Sequence, residues 1–311
     1  CILKVTNKKN NSVKFKDRNE IKAYSLMAIP LIFWLVFFAA AFIFAIVISF
    51  TNMKTSVANI TRFTFDNYIR IFDKNHELYD AEFWSSLWVS VKWAFFTTIG
   101  SNFFGLLLGF MLTRIPRGKK IFLAVLYWPA LVSAVVGSNI IQLLFDGSES
   151  GIVNSLLMSI GALDNPINYF NEEKYALFAL MFTSVFLGFS GGLLIYYAAI
   201  IGVPDTYLEA ASLETDSKLK AYIYITLPLI SNTITLNLVN SIINGFKVIG
   251  PMQLITSGGS KTQSSVLYVY YLAFERSKMG VASAYAMVLF LVVMIFSVIQ
   301  MKLNNKEVSY E

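Results

Sequence analysis

The charged residues of this 311-residue chain are distributed so that six stretches are left nearly free of them. No Asp, Glu, Lys or Arg occurs in residues 23–53, 121–145, 175–204, 221–246 or 279–301, and residues 83–113 hold only Lys92. A helix crossing the hydrocarbon core of a bilayer needs about 20 apolar residues, because an unpaired charge or an unbonded peptide group is too costly there. Each stretch is long enough. The expectation is an all-α polytopic membrane protein with six transmembrane helices, at about residues 25–50, 84–113, 121–145, 175–202, 221–246 and 280–301. Apolar residues make up 56% of the chain and charged ones 14%, against about 25% charged in soluble domains. The first stretch far exceeds the ~7–15 apolar residues of a cleaved secretory signal, so it is read as a retained helix.

Orientation follows from the basic residues of short connections. Lys4, Lys8, Lys9, Lys14, Lys16, Arg18 and Lys22 precede the first span, and Arg114, Arg117, Lys119 and Lys120 follow the second without an acid among them. Both segments are expected on the cytoplasmic side. Residues 54–82 and 146–174 are rich in Asp and Glu and belong outside. Both termini are then expected on the cytoplasmic side of a cell membrane. The net charge of +6 largely reflects this asymmetry, so no nucleic-acid partner is inferred.

No catalytic apparatus is evident. One Cys and one His exclude disulfide frameworks and multi-ligand Cys/His metal sites. Gly118 and Lys119 lack the upstream glycine and the following Ser or Thr of a nucleotide-binding loop, so any ATP must be hydrolysed by another chain. His76 sits among acids in an outer loop and reads as a solvated surface residue.

Two features go beyond topology. In the fifth stretch Thr233, Asn237, Asn240, Ser241 and Asn244 fall within about 100° of arc at a helical 100° per residue. Such residues meet another helix or line a wet cavity, and both readings stand. Uncharged amides and hydroxyls are also what a path for a neutral, hydroxyl-rich solute would offer. The second feature is residues 203–220. Pro204 and Asp205 open a short helix and Lys218 and Lys220 close the segment, with Tyr207, Leu208, Ala211 and Leu219 on a partly apolar side. It could rest on lipid headgroups or dock a partner.

Glu209, Ala210 and Ala211, followed by Ile225, Thr226, Leu227 and Pro228, resemble the EAA loop of the permease subunits of binding-protein-dependent ABC importers. Residues 67–72 (NYIRIF) and 151–157 (GIVNSLL) are similar to that family's outer-loop segments. Residues 256–259 (TSGG) and 270–274 (YYLAF) resemble its carbohydrate branch, in particular the larger, maltose-permease-type subunit. Where the family has Asp-Gly-Ala, this chain has Glu214, Thr215 and Asp216.

The resemblance implies a type I ABC importer permease fold over residues 23–302, between cytoplasmic tails at 1–22 and 303–311, with a coupling loop at 203–220 between spans four and five. It implies that Glu209, Ala210, Ala211, Leu213, Glu214 and Thr215 couple to the ATPase. In the maltose-type pattern, substrate contacts fall on Leu187, Gly188, Gly191, Ser241, Gly245 and Val248, and the polar stripe adds Asn237, Asn240 and Asn244. Gly191 and Gly245 lack the maltose-contacting side chains, so a wider site for another saccharide is expected. Phe189 and Phe246 offer rings for sugar stacking or for packing. The implied partners are a second six-span permease in a heterodimer, two copies of a P-loop ATPase that bind ATP and Mg, an extracytoplasmic sugar-binding protein, a carbohydrate and membrane lipid. This chain itself holds no cofactor. The competing class is a secondary transporter or channel for a small polar solute, which calls for inverted halves and ionisable groups at mid-membrane. Lys92 is the one charged side chain within a stretch, and snorkelling or pairing with another subunit's acid accounts for it.

Overall fold

The computed structural model describes residues 9–57, 60, 62–215 and 217–304, with side chains from residue 22 to residue 302. The ends of both tails, residues 58, 59 and 61, and Asp216 in the expected coupling loop lie outside the described residues. Among these residues the chain is helical throughout, with one isolated antiparallel bridge between Thr51 and Phe63.

Helix α1 (Lys9–Trp34) passes through a widened turn at Leu35–Ala39 into α2 (Ala40–Ser49). The short helix α3 (Asp66–Phe72) leads to α4 (Ala81–Arg114), then α5 (Lys119–Tyr127), α6 (Ala134–Leu144), the short α7 (Ile152–Ser159) and α8 (Glu173–Ile201). Helices α9 (Asp205–Glu214) and α10 (Lys218–Ala221) form the next connection. Through α11 (Leu227–Leu229) the chain enters α12 (Ser231–Phe246), followed by the short α13 (Ser265–Tyr270) and α14 (Met279–Asn304).

Four segments, Lys22–Ser49, Ala81–Arg114, Glu173–Ile201 and Met279–Lys302, are long and apolar enough to cross a membrane unbroken. The expected spans at 121–145 and 221–246 are not straight: each is a pair of helices, bent by 97° between Leu131 and Ala134 and by 72° between Leu229 and Ser231. Six spans result only if each bent pair counts as one. The causes are local. Pro129 has no N–H to continue the ladder, the chain turns extended at Val132 and Ser133, and the Ser133 hydroxyl accepts from Val136 N at 3.4 Å to start α6 afresh. Pro228 likewise cannot donate to the carbonyl four residues back, and a π-helical turn at Tyr222–Thr226 opens the ladder there before Ile230 ends it.

The centre of the fold is the pairing of α4 with α8. Backbones in lipid approach closely where side chains are smallest. A Cβ on Gly105 would lie 3.1 Å from Leu193 N, and one on Gly109 would lie 3.3 Å from Tyr197 N, so two glycines four residues apart form a seam of main chain on main chain. Helix α12 packs against α4 and touches α8 as well, and α14 covers α12 and α2.

The connections expected on the outer side are tied down by polar side chains that are buried or partly buried. Asn67, in the NYIRIF segment, donates to Ser49 O at 2.9 Å and Thr51 O at 2.8 Å. Asn154, in the GIVNSLL segment, donates to three carbonyls and accepts from Ile167 N at 3.1 Å. Asp80 is the third tie. Its Oδ1 caps α4 by accepting from Phe83 N at 3.2 Å, and its Oδ2 accepts from the hydroxyls of Tyr268 and Tyr285 at 2.6 Å each. Burial and the bond to Asp80 push the Tyr268 phenol well above its ordinary value, so it stays protonated and donates. Asp80→Ala removes a cap worth about 1 kcal/mol and leaves two phenols without their acceptor. A stability loss of about 2–4 kcal/mol is expected by thermal unfolding in detergent; a loss below about 0.5 kcal/mol would show the tie to be dispensable.

Candidate translocation path and coupling loop

The polar stripe of α12 faces two environments. Asn237 donates to Asn102 Oδ1 at 2.8 Å, and Ser241 Oγ accepts from Asn102 Nδ2 at 3.0 Å. Asn102 Nδ2 also donates to Thr98 O at 2.7 Å, and its Oδ1 accepts from the Tyr196 hydroxyl of α8. Asn102 is 5% exposed, so this α4 amide is a buried hub joining three helices. It was visible in the sequence only as a polar residue inside an apolar stretch. Asn240 and Asn244, a turn away from Asn237 and Ser241, are exposed. Of the five stripe residues, Asn237 and Ser241 thus serve interhelical bonding, Asn240 and Asn244 are exposed, and Thr233 is half-buried.

The other path positions divide in the same way. Gly188 and Gly191 are exposed on α8, and a Cβ on Gly191 would meet nothing within 4 Å. Leu187 and Gly188 border a cleft of about 310 Å³ against the Pro129–Ser133 bend, with Ser184 at its wall. The Ser184 hydroxyl is buried without a hydrogen-bond partner. Helices α8 and α12 meet where Gly192 faces the Asn237 amide, 3.2 Å from a Cβ built on that glycine. Gly245 and Val248 belong to the packing instead. A Cβ on Gly245 would lie 2.7 Å from Ala94 Cα, and Val248 packs on the cluster of Trp93, Met252 and Leu267. Phe189 and Phe246 are also packed rather than free to stack on a solute: both are buried, and Phe246 stacks on Phe296 with ring centres 5.5 Å apart. Lys92 is exposed, with its ammonium 5.5 Å from the Trp88 ring centre, and His76 Nδ1 accepts from Leu78 N in an exposed turn.

Helix α9 presents the EAA residues. Ala211 is buried at 5% exposure, whereas Glu209, Ala210 and Glu214 are exposed and Leu213 is 90% exposed. One small residue anchors the helix while a large apolar one points away from the fold. Thr215 stands where the family has glycine. Its φ of −153° and ψ of 133° are extended and open to any residue, and its Oγ1 accepts from Ser217 N at 3.2 Å. Ser217 Oγ in turn caps α10. Two hydroxyls thus support the described parts of this connection, and Thr215 itself adopts no conformation that calls for glycine.

A chain of apolar helices, four of them long enough to cross a membrane unbroken, is a polytopic membrane protein in build. No family model matches it. A probable ABC transporter permease of Bacillus subtilis strain 168, YesP, is 30% identical over 236 residues, 75% of each chain. The arabinooligosaccharides transport permease AraP of the same organism is 27% identical over 296 residues, 91% of this chain and 90% of that one. The sn-glycerol-3-phosphate transport permease UgpA of Shigella flexneri is 25% identical over 252 residues, covering 79% and 81%. Among solved structures, a bacterial transporter involved in the import of the acidic polysaccharide alginate matches with a TM-score of 0.78 at 18% identity, covering 94% of this chain and 98% of that one. That match shares the fold. The chain belongs to the ABC transporter permease family, the family its EAA residues resemble.

Proposed function

We propose that the chain is one of two permease subunits of an ATP-driven, binding-protein-dependent importer of a neutral oligosaccharide. The observation that carries the reading is α9: a helix anchored by Ala211 that offers Glu209, Ala210, Leu213 and Glu214 outward is built to be gripped by another protein. In this reading the grip belongs to a P-loop ATPase holding ATP and Mg. Closure of its two copies moves α9, α10 and Thr215 as one handle and rocks the spans between inward and outward states. The basic segments 1–22 and 114–120 set α9 and both termini on the cytoplasmic side. A single bundle encloses no symmetric path, so a second, related permease completes it.

The path in this reading runs along the exposed, uncharged set of Gly188, Gly191, Asn240 and Asn244, with Leu187 at the neighbouring cleft. Asn237 and Ser241 shape it through Asn102, and Gly245 and Val248 act through packing. Amides and bare backbone suit hydroxyl groups, and the set contains no cation to hold an anionic cargo. AraP, matched over nearly the whole chain, supports an oligosaccharide. A sugar-binding protein outside the membrane would deliver it; one alginate transporter of this fold was solved with an oligosaccharide-bound periplasmic protein.

Recovery of the tagged chain from its native membrane in mild detergent tests the assembly. A second permease and a P-loop ATPase should be retained; a chain that emerges alone even after cross-linking at Glu209 overturns the reading. For the path, Asn240→Leu with Asn244→Leu leaves the Asn102 hub untouched. It is expected to raise the KM for oligosaccharide uptake about tenfold, the loss of one or two hydrogen bonds to a sugar, and unchanged uptake kinetics would remove these residues from the path.

A further inference from the structure

A cleft of about 250 Å³ opens where the last turn of α4, the first turn of α5 and the junction of α8 with α9 meet. Its floor combines the apolar Phe110, Ile200 and Tyr222 with Thr113 and Thr226, and its rim carries the exposed Leu208 with Arg114 and Lys119, and Asp205 as the one acid. Arg114 is held in place by stacking. Its guanidinium carbon lies 4.9 Å from the Phe110 ring centre, and Phe110 is itself stacked on Tyr222 at 4.0 Å. Its one hydrogen bond, to Lys218 O, is long at 3.4 Å, which leaves most of its five N–H donors for an occupant. Among the described residues neither Arg114 nor Lys119 forms an ion pair, although Asp205 borders the same cleft.

The position of the cleft selects the ligand. The charge-free stretches of α4 and α8 both end here, so the rim lies at the depth of lipid headgroups while the floor continues into the apolar layer. We propose that the cleft binds an anionic phospholipid, its phosphate on Arg114 and Lys119 and its acyl chains over the exposed Ile121 and Ile201. A fixed guanidinium and a flexible ammonium suit a phosphodiester, and two bases against one acid favour a headgroup with net negative charge over one that brings its own cation. The apolar residues of floor and rim distinguish a lipid from free phosphate, which gains nothing from Phe110 or Leu208.

Native mass spectrometry of the full chain, mixed in mild detergent with equal amounts of phosphatidylglycerol and phosphatidylcholine, reads the preference directly. Phosphatidylglycerol is expected to be retained about tenfold over phosphatidylcholine, a ratio set by two basic contacts. Arg114→Ala with Lys119→Ala should bring the ratio to about one, and Lys119→Gln, which spares the aromatic stack, should lower it about threefold. Arg117→Ala with Lys120→Ala removes equal charge from the same connection outside the cleft and should leave the ratio within about twofold. Equal loss in both double variants would assign the effect to diffuse loop charge and overturn the proposal. Displacement of the lipid by excess inorganic phosphate would overturn it too, by making the site one for free phosphate.

Discussion

Leu213→Asp is expected to lower ATP-driven uptake by the assembled importer about a hundredfold while leaving the unfolding temperature of the chain unchanged. At 90% exposure Leu213 contributes almost nothing to the fold, so its replacement costs the chain little. If the ATPase receives that side chain in a dry cleft, an unpaired carboxylate there costs about 3–5 kcal/mol, and docking fails. Uptake and thermal unfolding, measured on one preparation, separate the two effects. Ala211→Arg provides the contrast: Ala211 is buried, so its variant should lose stability and uptake together. Undiminished uptake by the Leu213→Asp importer would sink the coupling role of α9.

Asn102→Leu is expected to cost about 2–4 kcal/mol of stability, the largest effect of any single polar substitution inside the spans. The side chain is close in size, but the Tyr196 hydroxyl, the Asn237 amide and the Ser241 hydroxyl lose their common partner at once. A single interhelical hydrogen bond in lipid contributes about 0.6 kcal/mol on average; several orphaned groups at a site 5% exposed add desolvation to that. Tyr196→Phe removes one bond and should cost about 1 kcal/mol or less. Denaturant unfolding in detergent reads both. An Asn102→Leu protein as stable as the parent would mean that the hub is wet and its bonds exchange with water.

Helical class, membrane character and family were legible because charge-free length and the EAA residues are local properties of the chain. Shape was less so. Hydropathy treats residues 121–145 as one apolar run, since it counts side chains and not peptide hydrogen bonds, yet Pro129 and Ser133 in that run carry the bend. Periodicity placed Asn237, Asn240, Ser241 and Asn244 on one face without saying what the face meets, because the answer lies in Asn102, more than a hundred residues away in the chain. Gly245 and Gly191 look alike in sequence, but one touches the α4 backbone and the other touches nothing. Asp80 gave no warning, as an outer-loop acid among several. Thr215 looked like a loss at a glycine position and proves conformationally neutral, since its backbone is extended.

The bend between α5 and α6 bears on how the chain is put into a membrane. Helix α6 has 11 residues, about 17 Å of rise, and α5 with its following 3-10 turn about 21 Å, against a hydrocarbon layer of about 30 Å. Neither arm can cross alone, and the peptide groups of Val132 and Ser133 cannot face lipid. Leu187, Gly188 and Pro251, which border that bend, are made 50 or more residues after it. The corner, set by Pro129, Val132 and Ser133 themselves, is therefore made before the residues that border it. Until α8 and the segment after α12 follow, its unpaired peptide groups have to be met by water or by other protein rather than by lipid.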